Sequence, residues 1–354
     1  MPEGALWVRL PRFIGDAVMI TQAVAPLRAL GHELVAWGPA PVVELFDGAV
    51  PYAAALADPA GKQGASAMAA LLKAQRAGGV INLPRSLRAT LAAKLAGLPL
   101  RVGWSPWLTA FLATHRLDYG RLQGHQLDRY RLLLKKAFPE MGDAEPTPFR
   151  PRPAAQLQAQ EFLRPGIGES SYAVLALGAM SWNKRLGAGP FGAAARHLQA
   201  RGLRVVLLGA PGEDQAHAAL VAAEAPGVVD LSGQAPLSVA AAILGGAQVL
   251  RVSAPYGLAL DAANLGGAQV ALGNDSALSH LAAACGVPVV VAFGPTDPGV
   301  TCPRGPWVRA VRDVSLTCAP CLRGDCTVEG HPCMQRLDSA LICGGLDGGV
   351  AARG

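Results

Sequence analysis

Residues 268–298 leave the chain few folding options. An apolar run from Ala268 to Leu272 ends in Gly273-Asn274-Asp275-Ser276, and an Ala/Leu-rich run with helical spacing follows and closes at Gly286. Pro288 then opens a second apolar run, Val289 to Phe293, which ends in Gly294-Pro295-Thr296-Asp297. This order reads as strand, turn, helix, strand, turn. Asp275 or Ser276 is placed to cap the helix, so its first N–H groups point into the turn. Such an end carries partial positive charge and donors without helical partners, which suits a phosphate or diphosphate. The plain alternative is a capped helix in a parallel-sheet domain.

A chain of 354 residues is long for one core, so two domains are expected. Apolar residues make up 51% and charged residues 16%, the balance of a well-buried globular protein and not of a disordered one. The net charge is +6, and the arginines are dispersed. That favours an anionic substrate or membrane surface and argues against a nucleic-acid partner. No apolar run reaches the ~20 residues that span a bilayer. Met1 to Leu10 lacks a signal-peptide plan, and Trp7 to Leu10 reads as a strand. The expectation is a cytoplasmic protein that touches the membrane from the cytoplasmic side.

In the first half, a strand runs into Gly15-Asp16, followed by a helix from about Ala17 to Leu30. Asp16 then lies beyond the strand's carboxyl end, where open parallel sheets bind ligands. Its alternative is a helix cap worth ~1 kcal/mol. Strands are expected over 32–38, 79–83 and 100–104, a helix over 87–97, and helix and loop over 53–78. Arg85, Arg88 and Arg101 are candidates to meet the phosphates or carboxylates of an anionic ligand, against a reading as solvated surface arginines. Trp104 and Trp107 either wall a ligand site or pack. Residues 143–155 carry four prolines and no periodicity, and so read as a linker. They divide an N-terminal domain, 1–150, from a C-terminal one, 156–335. The Gly-rich tail, 336–354, is expected to fray.

In the second half, a strand over 171–177 leads into a loop with Ser181, Asn183, Lys184 and Arg185. Hydroxyl, amide and paired cations at a strand end suit a diphosphate leaving group, whose growing charge a lysine stabilises. After the strand at 203–208, Glu213 and Asp214 stand at the start of a helix, where either carboxylate can accept from a pair of hydroxyls, with helix capping as the alternative for both. The hexapeptide LGGAQV occurs at 244–249 and again at 265–270, which suggests a tandem insertion of 21 residues.

Gly-Asn-Asp-Ser at 273–276, His280 four residues on, and Phe-Gly-Pro-Thr-Asp-Pro at 293–298 together resemble the donor-binding segment of the ADP-heptose:lipopolysaccharide heptosyltransferases, glycosyltransferase family 9. Pro84-Arg85-Ser86 with Leu100-Arg101-Val102-Gly103-Trp104 is most like the heptosyltransferase II branch. The resemblance implies an α/β GT-B fold, two facing Rossmann-like domains with parallel sheets, the first for acceptor and the second for nucleotide sugar. It implies inverting transfer of heptose from ADP-heptose to the lipopolysaccharide inner core. Asp16 would be the general base, and Lys184 would hold the leaving diphosphate. Ser181, Asn274, Asp275, Ser276 and His280 would grip donor phosphate and sugar, and Glu213 the ribose. It calls for no cofactor, and the acceptor partner would be the lipopolysaccharide core. Three departures stand out: Lys184-Arg185 is followed by Leu186-Gly187 where relatives have Trp-Pro, Ala277 stands where they commonly have Gly, and they generally lack the insertion. A sugar-nucleotide epimerase on the same plan, a relative using another nucleotide sugar, and a non-catalytic scaffold are the competing readings.

Cys318, Cys321, Cys326 and Cys333 form C-x2-C-x4-C-x6-C. Clustered thiols in a cytoplasmic chain point to metal more than to disulfides, and Cys318 with Cys321 offers one edge of a tetrahedral site. The four do not make two matched knuckles, however, and the resembling family carries a similar segment. The expectation is no metal, with reduced thiols packing a loop.

Overall fold

The computed structural model describes residues 4–49, 51–59, 64–104, 111–142, 148–245 and 267–352. The chain divides into two compact units, residues 1–149 and 150–354. Unit one runs β1 (Leu6–Arg9), α1 (Ile14–Val24), α2 (Pro26–Ala29), β2 (Leu34–Gly38), α3 (Ala40–Phe46), β3 (Ala54–Ala57), α4 (Ala65–Ala74), β4 (Gly79–Asn82), α5 (Leu87–Leu95), β5 (Leu100–Trp104), β6 (His115–Leu117) and α6 (Gln126–Ala137). Its strands are parallel in the order β3-β2-β1-β4-β5-β6.

Unit two begins with α7 (Pro153–Leu163), then β7 (Tyr172–Ala176), α8 (Ala188–Ala200), β8 (Arg204–Leu208), α9 (Glu213–Glu224), β9 (Val229–Asp230) and α10 (Leu237–Gly245). It continues with β10 (Ala271–Asn274), α11 (Ala277–Ala284), β11 (Val289–Ala292), α12 (Pro298–Thr301), β12 (Val308–Val311), α13 (Pro332–Gln335) and α14 (Ser339–Ala351). Its sheet is also parallel, in the order β12-β11-β10-β7-β8-β9.

Read from its own first strand, each sheet has the same plan, 3-2-1-4-5-6, the doubly wound order of nucleotide-binding folds. The central strands LWVR, LVAWG, YAVLA and VVVA are buried throughout, as parallel strands covered on both faces must be. In each sheet the winding reverses between the first and fourth strands. The loops leaving those two strands diverge to opposite faces and open a crevice beyond their carboxyl ends. In unit one the crevice lies between β1 and β4, and in unit two between β7 and β10.

The structure departs from the expectations at several points, each for a local reason. The helix after β1 starts three residues early, at Ile14, and ends at Val24 because Pro26, with no N–H to donate, starts a new short helix. Strands β3, β6 and β12 lie at sheet edges and had not been expected. Helix α7 starts at Pro153, inside the expected linker, with proline in the first turn, where its missing N–H costs nothing. Residues 143–147 of that linker and the core of the insertion, 246–266, lie outside the described residues, as does Trp107. The glycine-rich end is not frayed but forms α14, packed on α8, β11 and β12. A Cβ on Gly349 would meet Val270 Cγ2 at 2.7 Å, so its glycines let the helix lie close on the sheet. None of the described helices is long and apolar enough to cross a membrane.

Candidate active site

In unit two, β10 ends at Asn274 and hands over to α11 through Asp275 and Ser276. Asn274 is fully buried; its Nδ2 donates to Leu177 O at 2.8 Å, and its Oδ1 accepts from Leu186 N at 2.9 Å. Both ends of the amide are thus used to tie β10 to the loop after β7, so Asn274 shapes the crevice instead of offering its donors to a ligand. Gly273 lets this happen, since a Cβ there would meet Ser279 Oγ at 2.5 Å. Ser279 itself donates to Asn274 O at 2.7 Å.

The tie brings Lys184 and Asp275 together across 91 residues of sequence. Lys184 Nζ lies 2.9 Å from Asp275 Oδ2, with the carboxylate side chain 5% exposed and the lysine 27%. Thr301, at the end of α12, donates to the same oxygen at 3.3 Å, and His280 Nε2 stands 4.0 Å from Oδ1. Neither Asp275 nor the hydroxyl of Ser276 caps α11: Ser276 occupies the cap position but makes no side-chain cap bond. The first turn of α11 therefore keeps its N–H groups out of side-chain capping, next to the Lys184–Asp275 pair.

Arg185 turns the other way. Its guanidinium reaches Glu213 Oε2 at 2.7 Å and Asp214 Oδ1 at 3.3 Å, and donates to Ala179 O. Neither acid caps α9, since Gly212 holds that position at φ +88° and Gln215 Oε1 accepts from its N–H. Asp214 is buried, and its Oδ2 accepts from Ala210 N at 2.8 Å. The Glu213 side chain is 80% exposed, so of the two it is the carboxylate open to a ligand. Ser181 leads the single 3-10 turn 182–184, and its carbonyl accepts from Lys184 N.

That turn is braced from behind by the cysteine segment. Asn183 Nδ2 donates to Arg323 O at 2.6 Å, Trp182 packs edge-on to His331, and Gly187 N donates to Met334 O. Cys318, Cys321, Cys326 and Cys333 line one cavity of about 310 Å³ together with Asn183 and His331. All four are free thiols, and burial pushes Cys333 up to about 11. Among the described residues no three His, Cys, Asp or Glu side chains stand close enough together to hold a metal ion. Burial, with Asp275 nearby, likewise raises the Cys302 thiol to about 11.

In unit one, Asp16 lies in the first turn of α1, just beyond β1, while the cap position is Phe13; the capping alternative therefore fails. The Tyr130 phenol sits well above its ordinary range, first through burial and then through the neighbouring Asp16 carboxylate. Arg85 has φ +64°, and its guanidinium stacks over Tyr119 at 4.3 Å. Arg129 donates to the Tyr119 hydroxyl at 3.0 Å, so two cations share one ring. Arg88 is exposed on α5. Arg101 is different: it donates to Leu112 O at 2.7 Å and to Leu98 O, and so holds a loop instead of facing an acceptor. Trp104 is buried and donates to Leu83 O, which settles it as packing.

Sequence reasoning missed Thr301, the Arg185 clamp and the Tyr119 platform. Thr301 carried one signal, its place four residues beyond Asp297 in the turn after β11. The others join residues far apart and left none.

The fold is shared with proteins of known structure. It matches E. coli ADP-heptose lipopolysaccharide heptosyltransferase II with a TM-score of 0.76 at 20% identity, over 98% of this chain and 99% of that one. It matches a family 9 glycosyl transferase of Veillonella parvula with a TM-score of 0.79 at 17% identity, over 99% and 98%. E. coli heptosyltransferase WaaC, solved with ADP-2-deoxy-2-fluoro heptose, gives 0.67 at 16% identity, over 97% and 99%. A stretch of 57 residues is 44% identical to lipopolysaccharide heptosyltransferase 1 of Pseudomonas aeruginosa, covering 16% of this chain and 15% of that protein. The family model for glycosyltransferase family 9 (heptosyltransferase) matches residues 66–259 and 250–331, two segments that overlap at 250–259, between the two LGGAQV copies. With the crevice loops, the twice-repeated sheet and most of the chain matched, this protein belongs to glycosyltransferase family 9, the heptosyltransferase family.

Proposed function

We propose that the chain is an inverting glycosyltransferase that moves heptose from ADP-heptose to the inner core of lipopolysaccharide. The observation that carries this reading is the Lys184–Asp275 pair at the crevice of unit two, beside the uncapped start of α11. A diphosphate suits that place: the helix end and the ammonium both favour the charge that builds on the β-phosphate as ADP leaves. Asp275, held by Lys184 and Thr301, accepts from sugar hydroxyls, with His280 at its other oxygen. Ser276 and Ser181 donate to phosphate oxygens, Glu213 accepts from the ribose, and Asn274 keeps the two loops in register. Helix end and lysine carry the charge without a cofactor.

On the acceptor side, Asp16 takes the proton. The acceptor oxygen attacks the anomeric carbon on the face opposite ADP. The bond from that carbon to the phosphate oxygen breaks, and its electron pair leaves with ADP. The proton of the acceptor hydroxyl passes to the Asp16 carboxylate. Arg85 and Arg88 meet anionic groups of the acceptor, with Tyr119 holding Arg85 in place. Transfer to a membrane-borne acceptor calls for work at the cytoplasmic face of the inner membrane.

Two measurements test the reading. ADP-heptose should raise the melting temperature more than UDP- or GDP-sugars do at equal concentration. Asp16→Ala should cut turnover by about 10²–10⁴-fold while leaving that thermal shift intact. Parent-rate transfer by Asp16→Ala would remove the base assignment. Conversion of the nucleotide sugar to an epimer without acceptor would replace transfer with epimerisation.

A further inference from the structure

Helix α5 is built inside out. Its buried face carries Ala89, Thr90, Ala92 and Ala93, while Leu87, Leu91 and Leu95 stand on the solvent side, 57%, 37% and 48% exposed. Their spacing of four residues sets them in one stripe along the helix. A surface helix ordinarily does the reverse, with leucines inward and polar residues outward. The stripe has an extension in Phe111, 64% exposed, whose ring lies 4.3 Å from Lys94 Nζ. Lys94 also donates to Phe111 O. Single exposed apolar residues are ordinary, but a contiguous group of large ones marks a contact surface.

The charge around this stripe has one sign. From Pro59 to Leu117 the sequence contains no Asp or Glu and eight Lys and Arg. Arg88 and Lys94 are exposed on α5 itself, and Lys73 and Arg76 are exposed at the end of α4, which packs against α5.

We propose that the outer face of α5, with Phe111, docks on an anionic lipid bilayer. The leucines and the phenylalanine enter the boundary between headgroups and acyl chains, and Lys94, Lys73 and Arg76 meet lipid phosphates. The helix lies in the surface plane, since nine residues reach only about 14 Å, half the thickness of the hydrocarbon layer. The charge pattern selects this occupant. A second copy docked by two-fold symmetry would set the same cations against each other, and a nucleic acid would leave four large apolar side chains without use. The proposal extends the membrane contact named above to a defined surface, yet it stands on that surface alone and does not depend on sugar transfer.

The test is co-sedimentation of the full chain with vesicles that contain no saccharide acceptor. Vesicles with added phosphatidylglycerol should pellet the protein at least about tenfold better than phosphatidylcholine alone, and salt should weaken the binding. The double change Leu91→Ser/Leu95→Ser should lower partition onto the anionic vesicles by about tenfold or more. Lys94→Glu should lower it comparably, and Phe111→Ser, on a separate segment, should reproduce the direction. The thermal shift given by ADP should stay at the parent value in all of them, which shows that each is folded and that unit two is intact. Equal partition of parent and variants would overturn the proposal. So would a parent dimer that the leucine changes convert to monomer without altering vesicle binding. Because the vesicles lack acceptor and donor, loss of the transferase reading would leave this result standing, and the reverse also holds.

Discussion

At Asp275 one buried carboxylate serves an ammonium, a hydroxyl and an imidazole in turn, and that sharing makes Lys184 the residue to remove. Lys184→Met leaves Asp275 with its charge and without its cation. Because the lysine is partly exposed, the loss of stability should be about 2 kcal/mol, less than for a fully buried pair. Turnover should fall further, by about 10²–10³-fold, since charge on the departing phosphate loses its partner. Adding Asp275→Asn should recover stability in chemical denaturation without recovering turnover. Recovery of both would make the pair structural. Each member was legible on its own in the sequence, Lys184 as a cation at a strand end and Asp275 in the Gly-Asn-Asp-Ser turn. Their pairing was not, because it is made by Asn274 reaching across to Leu177 and Leu186, contacts that no local pattern records. The same limit explains Arg101, which has the look of an anion ligand and is used to hold two carbonyls.

The element that fixes the crevice is β10 with its exit into α11, and Gly273 is its narrowest point. Gly273→Ala would press a methyl against Ser279 Oγ and against Ala176 Cβ, at 2.5 and 3.1 Å. Overpacking of this kind should cost about 1–3 kcal/mol and loosen ADP binding together with it. Ser279→Ala in the same chain should return part of the loss, because it removes the nearer obstacle; calorimetry of the three variants with ADP measures this. Elements of this kind were also the readable part of the fold. Central strands such as VVVA and YAVLA are continuous apolar runs because both faces are covered. The strands that escaped notice, β3, β6 and β12, are edges. HRL and VRAV are partly exposed and mix charged with apolar residues, and AALA is an alanine run, which reads as helix before it reads as strand. In α5 the apolar spacing was plain, but which side it faced was not, since helical periodicity gives a stripe without saying what the stripe meets.

At the scale of the molecule, each unit has its own sheet and its own buried cluster: Trp7, Trp37 and Leu72 in the first, Leu175, Phe191 and Leu346 in the second. Lys184, Glu213 and Asp275 all belong to the second. Residues 150–354 expressed alone should therefore unfold cooperatively and keep ADP affinity within about threefold, while residues 1–149 alone should bind no ADP; titration calorimetry separates the cases. A tenfold loss in the isolated second unit would mean that the first contributes to nucleotide binding. The repetition of one strand order in both halves has a consequence for how such a protein can change over time. Because each half keeps its own hydrophobic interior, a substitution that retunes one half leaves the packing of the other intact, so the two halves are free to diverge at different rates.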